Sequence, residues 1–185
     1  MSMFEFVTVM VSMILALCLG HLMRSASFLA KTDREVIYNL PLVLWSIVVL
    51  LSVVNHWWTL WDLRDVDWNY GSFIYVLIAP VLITFATGLL SPSQTSSHSI
   101  DLRLHYFRIR RLFSLVMVGY AGVMWFDGPL FAGQAVFGTV GALHIPIIAA
   151  DCVPGLTGND RANAVAAGVV IAILLIVMFV RYSTM

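Results

Sequence analysis

Six long runs of apolar residues constrain this chain more than any other feature of its sequence. The clearest run, residues 38–61, has no formal charge over a length that exceeds the roughly 20 residues a helix needs to cross a bilayer. It opens with Asn39 and Pro41, which suit the cap and first turn of a helix, and it ends in three tryptophans. Because 61% of the residues are hydrophobic and 11% are charged, no soluble fold would bury the apolar surface. The sequence therefore predicts an all-α, polytopic transmembrane bundle.

The apolar runs predict about six spans within a single transmembrane domain that covers residues 1–185. The predicted spans are residues 4–23, 38–61, 72–90, 108–126, 129–148 and 160–180. Pro80 interrupts the third span, and residues 127–129 (Asp-Gly-Pro) predict a tight turn between the fourth and fifth. The fourth helix is expected to start before its apolar part, near Ser99 or Asp101.

The basic residues predict the orientation of the bundle. Eight of the ten Lys and Arg residues fall in the loops after spans one, three and five, and only Arg64 and Arg181 fall on the other side. Loops rich in Lys and Arg stay in the cytoplasm. Both chain termini are therefore expected on the non-cytoplasmic side.

Several functional classes are disfavoured by what the sequence lacks. No charged residue lies near the middle of any predicted span, although ion-coupled transporters and proton pumps normally need one. The sequence shows no catalytic motif, so no catalytic residue is assigned and a non-enzymatic protein is favoured. Its cysteines, Cys18 and Cys152, have no zinc spacing, and no metal site is predicted. Balanced charge gives no reason to expect a nucleic-acid partner.

Two pairs of polar residues are candidates for ligand binding. His21 and His144 are predicted at similar depths near the cytoplasmic ends of spans one and five, where paired imidazoles could hold a b-type haem. The alternative is hydrogen bonding between helices. Asn55 and His56 could bind a quinone or a lipid headgroup near the outer surface, or could simply belong to an aromatic belt.

Two surface clusters are expected to contact lipid or a partner protein. The basic cluster before span four is expected to contact anionic lipid, and it could also dock a cytoplasmic partner. The tryptophans that end span two suit the opposite headgroup region. These contact residues are Arg103, Arg108, Arg110, Arg111, Trp57, Trp58 and Trp61.

Several segments together resemble small bacterial multi-pass membrane proteins that have no known activity. The segments are G-H-L-M-R at 20–24, L-P-L-V-L-W at 40–45, H-W-W-T-L-W-D-L-R at 56–64, D-W-N-Y at 67–70, A-P-V-L-I-T-F at 79–85 and D-L-R-L-H-Y-F-R-I-R-R at 101–111. The resemblance covers about the first two thirds of the chain and implies a location in the bacterial cytoplasmic membrane. It carries over no functional residue.

Three functional hypotheses follow from these features. The first is an accessory or regulatory subunit in a homo- or hetero-oligomer, favoured by small residues at helical spacing such as Ser12, Ala16 and Gly20. The second is a channel or facilitator for a neutral solute, gated at the Pro80 kink. Its predicted lining is Ser46, Ser52, Thr84, Thr87, Gln134 and Thr139. The third is a redox protein that binds haem or quinone.

Overall fold

The computed structural model describes residues 2–92, 99–131, 133 and 135–182. Its helices are α1 Met3–Lys31, α2 Leu40–Thr59, α3 Tyr70–Leu90, α4 Leu102–Phe131, α5 Thr139–Ala142, α6 His144–Leu156 and α7 Asp160–Tyr182. A 3-10 turn at Leu60–Leu63 extends α2, and two short strands are β1 Glu35–Ile37 and β2 Ser99–Asp101. Within the described residues, five helices are long and apolar enough to cross a membrane, namely α1, α2 with its 3-10 turn, α3, α4 and α7. The predicted all-helical architecture is confirmed, and the number of crossings stays a prediction.

Local capping explains where the helices start. The side chain of Asn39 accepts a hydrogen bond from the Leu42 amide at 3.0 Å, with Pro41 in the first turn, as the sequence predicts. Asn69 caps α3 in the same way, accepting from the Ser72 amide. A reciprocal capping box between Ser2 and Glu5 starts α1.

Five helices form a ring, and α1 packs on its outside. Around the ring, α2 contacts α7, α7 contacts α6, α6 contacts α4, α4 contacts α3, and α3 contacts α2. Helix α1 lies against α2 and α3. The largest side chain in the core is Trp45, which is fully buried and meets the Phe113 ring edge-on at 5.4 Å. The candidate site lies inside this ring of five helices.

Contacts between elements define two ends of the bundle. At the first, which we call the tryptophan end, the Phe4 ring meets Trp61 and the Phe131 ring meets Tyr75. At the second, which we call the arginine end, His105 bonds the carbonyl oxygen of Leu89 and Arg103 forms an ion pair with Asp160 at 3.2 Å. Helix α1 begins, and α7 finishes, at the tryptophan end.

A strand pair that the sequence did not predict closes the arginine end. Strands β1 and β2 pair in parallel, with Val36 opposite Ile100, so the connections before α2 and α4 are tied together. Three-residue strands leave no periodic signal in a sequence, and their pairing is between residues far apart in the chain. The fourth helix starts directly after β2, close to the predicted start.

The predicted fifth span, residues 129–148, is wrong in position. Helix α4 continues through residues 127–129 to Phe131, and no turn forms there. The packing of Phe131 on Tyr75 and a hydrogen bond from Trp125 Nε1 to the carbonyl oxygen of Val136 stabilise this last turn. The chain then reverses near Gly133, whose φ of +61° favours glycine. The return helix α6 runs antiparallel to α4 down to the arginine end, where Arg110 donates to the carbonyl oxygen of Pro154.

The shifted return helix also overturns two expectations about charge and depth. Asp151, outside every predicted span, lies in α6 at mid-height, because Ser114 from the middle of α4 donates to its backbone carbonyl. The bundle interior therefore does contain a charged residue type. His144 begins α6 at the tryptophan end, where it stacks on Trp125, whereas His21 lies near Ser25, which bonds Ser91 at the arginine end. The predicted equal depth of His21 and His144 is wrong.

Candidate functional site

A cavity of about 110 Å³ lies at the tryptophan end, between α2, α3, α4, α6 and α7. Its walls are mostly aliphatic and aromatic side chains from these helices. The polar and aromatic residues that define its chemistry are Asn55, His56, Tyr75, Trp125, Asp127 and His144. A concave, largely apolar chamber with a few convergent polar groups is the usual form of a small-molecule site.

His56 is the most enclosed of these polar side chains. It is 3% exposed, and its Nδ1 lies 3.1 Å from the Met124 sulfur. Its ring faces Tyr120 with the two centroids 6.2 Å apart. Its other ring nitrogen, Nε2, has no hydrogen-bond partner among the described residues. A neutral imidazole can donate or accept at this nitrogen according to its tautomer.

Asn55 precedes His56 on α2 and lines two adjoining cavities. The second cavity, of about 50 Å³, lies deeper and is also lined by Ser52, Tyr120 and Asp151. The side-chain oxygen of Asn55 is buried and accepts no hydrogen bond from any described group. Asn55 and His56, in the last two turns of α2, therefore present an unpaired amide oxygen and an unpaired ring nitrogen.

Two aromatic groups shape the wall opposite α2. The His144 ring stacks on Trp125 with an interplanar angle of 1° and centroids 6.4 Å apart. Trp125 is held in place by its hydrogen bond of 2.9 Å to the carbonyl oxygen of Val136. Flat aromatic walls favour a flat ring in the space between them.

Acidic residues line the outer part of the cavity. The carboxyl group of Asp127 lies beside the hydroxyl of Tyr75, which also donates to the carbonyl oxygen of Val123 at 2.7 Å. Asp62, on the 3-10 turn after α2, borders the same space. Two carboxyl groups therefore line the cavity, one from the exposed Asp62 and one from the half-buried Asp127, among mostly apolar and aromatic walls.

The sequence-predicted cofactor pair is not brought together. His144 lines the cavity, but His21 is exposed on α1 at the arginine end. The two residues therefore cannot hold one haem between them. Among the described residues, no group of three or more His, Cys, Asp or Glu side chains is arranged to hold a metal ion.

The predicted contact residues lie at both ends of the bundle. Trp57, Trp58 and Trp61 are 52%, 41% and 54% exposed, as lipid-facing side chains would be. At the other end Arg108 and Arg111 are exposed, whereas Arg110 donates to the carbonyl oxygens of Pro154 and Gly155. Arg103 pairs with Asp160. Two of the four arginines thus stabilise the fold itself.

The predicted channel lining does not converge on one path. Ser52 lines the deeper cavity, but Thr84 and Thr87 bond carbonyl oxygens of their own helix α3. Ser46 likewise bonds the carbonyl oxygen of Leu42. Gln134 and the side chain of Thr139 lie outside the described residues.

Sequence reasoning did not place Asp62, Asp127 and Asp151 at the cavities, and it did not place His56 and His144 at the same cavity. A signal was present, because His144, Ile147 and Asp151 are spaced for one face of a helix. The misplaced fifth span hid this spacing by ending at residue 148.

These features define a class: an all-helical protein whose apolar helices, by length and composition, suit a membrane and enclose a partly polar cavity. No protein-family model, no curated protein and no solved structure matches this chain.

Proposed function

We propose that this chain is a multi-pass membrane protein that binds the ring of a lipid-soluble quinone or quinol in the cavity at its tryptophan end. The protein would act by binding, with no catalytic residue of its own. Its resemblance to small bacterial membrane proteins supports a location in the bacterial cytoplasmic membrane. The distribution of basic residues supports six crossings with both termini on the non-cytoplasmic side.

The observation on which the proposal rests is the pair of unpaired polar atoms on α2. The ring nitrogen Nε2 of His56 and the side-chain oxygen of Asn55 are both buried without partners in the described structure. Leaving a buried polar atom unpaired costs about 1–3 kcal/mol, which a bound group that completes the hydrogen bond would recover. A quinone presents carbonyl oxygens to a ring N–H, and a quinol presents hydroxyl groups to an amide oxygen.

The size and walls of the cavity support a ring-shaped ligand. Cavities of about 110 Å³ and about 50 Å³ adjoin each other. Together they are comparable with the roughly 150 Å³ cavity that accommodates a benzene ring in another protein. The stacked Trp125 and His144 rings give a flat wall. An isoprenoid tail would leave the site into the lipid, which the exposed apolar helix faces are suited to contact.

Binding can be measured by the quenching of tryptophan fluorescence when a short-chain ubiquinone is added to the purified protein in detergent. Trp125 lines the cavity and would be quenched by a ring bound there. The change His56→Leu removes the ring nitrogen and should weaken binding about tenfold, equivalent to about 1.4 kcal/mol. The matched control is His21→Leu, because His21 is exposed at the opposite end of the bundle.

Equal affinity in the His56→Leu and His21→Leu variants would refute the proposed site. Saturable binding that does not quench Trp125 would also refute the proposed site. The contribution of Trp125 is measured by comparing the quenching of the unaltered chain with that of the Trp125→Phe variant. Helical circular dichroism and gel filtration of each variant establish that the bundle is intact.

A second candidate function is an accessory subunit that associates through α1. Helix α1 packs outside the ring, and Ala16 and Gly20 on it are exposed. A Cβ atom added at Gly20 would meet nothing within 4 Å, so the backbone is open to close approach by another helix. Ser12 is engaged within the chain, since it accepts a hydrogen bond from Trp57.

This second candidate predicts that the protein forms a defined oligomer in native membranes. Gly20→Leu should reduce the crosslinked oligomer about tenfold, because a bulky side chain separates helices that need small residues to approach. Gly168→Leu is the control, since Gly168 is also exposed with open space but lies on α7. A monomer in the unaltered chain would exclude self-association.

A further inference from the structure

Asp151 is a buried carboxyl group that the proposed ring site does not use. It is 1% exposed, and neither of its side-chain oxygens has a hydrogen-bond partner in the described parts of the chain. It lies at mid-height, facing the deeper cavity with Met117 of α4 and Val170 of α7. Each of these neighbours comes from near the middle of its own helix.

An ionised carboxylate with no partner is among the most costly groups to bury in an apolar interior. Ionisable residues inside membrane spans are rare for this reason, and they generally mark an ion or proton pathway. The Ser114 hydroxyl donates to the backbone carbonyl of Asp151 and leaves the carboxyl oxygens unpaired. The carboxyl group therefore needs a positive counterpart that the described side chains do not supply.

The deeper cavity places a second oxygen ligand near this carboxyl group. The side-chain oxygen of Asn55 borders the same space and is also unpaired. A volume of about 50 Å³ is enough for one or two water molecules, each of which occupies about 30 Å³ in the liquid. Carboxylate, amide oxygen and water are the ligands that hard cations prefer.

The surroundings hold no fixed positive charge among the described residues that line the cavity. The titratable groups that face this region are Tyr120 from α4, His56 from α2 and His144 from α6. The described part of α7 contributes the apolar Val170 and Leu174. Arg110 of α4, which contacts α6, is engaged with carbonyl oxygens at the end of that helix.

We propose that Asp151 anchors a cation-binding site, taken by a proton or a sodium ion, in the deeper cavity between α2, α4, α6 and α7. The cation enters from the tryptophan end, because Asn55, Met124 and His144 line both cavities and connect them. The acidic residues Asp62 and Asp127 at the outer cavity would attract a cation to this entrance. The cation site and the ring site share the side-chain oxygen of Asn55 and the deeper cavity, and they differ in that neither Asp151 oxygen is assigned to the ring.

The test uses dicyclohexylcarbodiimide, an apolar reagent that modifies protonated carboxyl groups. The purified full-length protein is treated over a series of pH values, in sodium chloride or in choline chloride, and the modified residue is identified by mass spectrometry. A proton site predicts labelling of Asp151 that falls as pH rises and is the same in both salts. A sodium site predicts labelling that sodium chloride lowers at least tenfold relative to choline chloride.

Thermal stability gives a second readout that does not need the reagent to reach the cavity. A cation that binds the folded state alone stabilises it, so the melting temperature should fall as pH rises for a proton and rise with sodium for a sodium ion. Asp151→Asn should abolish this dependence, whereas Asp151→Glu and Asp127→Asn should retain it. The proposal is overturned if Asp151→Asn leaves the pH and sodium dependence of stability unchanged and Asp151 is not labelled in the unaltered protein. If the unaltered protein binds no quinone but its stability still depends on pH or sodium through Asp151, the quinone proposal is refuted and the cation proposal stands.

Discussion

Replacing Asn163 by leucine will lower the free energy of unfolding by about 3 kcal/mol, because several buried hydrogen bonds are lost together. Asn163 is fully buried in the first turns of α7. Its side-chain oxygen accepts a hydrogen bond from Tyr106 at 2.9 Å, which joins α7 to α4. Its side-chain nitrogen donates to the carbonyl oxygens of Thr157 and Asn159, which fixes the loop between α6 and α7. Leucine has a similar size but satisfies none of these groups.

The matched control for Asn163→Leu is Tyr106→Phe. This change removes one hydroxyl group and leaves the Asn163 nitrogen bonded to the loop, so it should cost about 1 kcal/mol. Unfolding of each variant can be followed by circular dichroism during titration with a denaturing detergent. If both variants unfold at the same detergent fraction as the unaltered chain, Asn163 does not connect the two helices. Equal losses in the two variants would show that the loop bonds contribute nothing.

Labelling of cysteines introduced at the two ends will give an all-or-none result in intact cells. With the arginine end in the cytoplasm, a membrane-impermeant maleimide should label Asp67→Cys and should not label Asp33→Cys. Both positions are exposed, and they lie in the connections at the tryptophan end and the arginine end respectively. The two changes are identical in type, so they alter local charge equally. Permeabilised cells should show labelling at both positions.

The native cysteines set the baseline of this experiment. Cys18 is buried, with its sulfur 2.6 Å from the Thr87 hydroxyl, and Cys152 is half-buried in α6. The unaltered chain should therefore react weakly and gives the background signal. The reverse pattern, with only Asp33→Cys labelled, would place the arginine end outside and would overturn the proposed orientation.

The sequence was sufficient for the features that depend on local chemistry. The start of α2 follows from Asn39 and Pro41, which fix the first turn without help from the rest of the chain. The fourth helix is predicted to start before its apolar part, near Ser99 or Asp101, and α4 starts at Leu102. In each case the residues that carry the signal lie within a few residues of the helix start that they predict.

The features that depend on tertiary contacts were missed. Asp, Gly and Pro at 127–129 form a strong local turn signal, yet α4 continues because Tyr75 and Val136 hold its last turns from elsewhere in the chain. Because of this single difference, the return helix spans His144–Leu156 and not the predicted residues 129–148, and His144 lies at its start and not near its end. Asp151 then changed from a loop residue to a buried one. The local turn signal at 127–129 thus predicts the wrong environment for Asp151, which is buried in α6.

The cavity could be predicted only in part. Asn55 and His56 were recognised as a polar pair near a tryptophan-rich boundary, and the structure places both against the cavity. Trp125 and His144, which line the same cavity, come from helices whose depth the sequence did not determine. Whether a buried polar atom finds a hydrogen-bond partner depends on packing among several helices. The residue pattern of a single segment does not predict it.

The parallel pairing of β1 and β2 has a consequence for how the protein is made. Its two strands, Glu35–Ile37 and Ser99–Asp101, are separated in the chain by the whole of α2 and α3. Both helices must therefore be synthesised before the two connections can pair. The pairing of β1 with β2 therefore joins the connections before α2 and α4 only after α2 and α3 are complete.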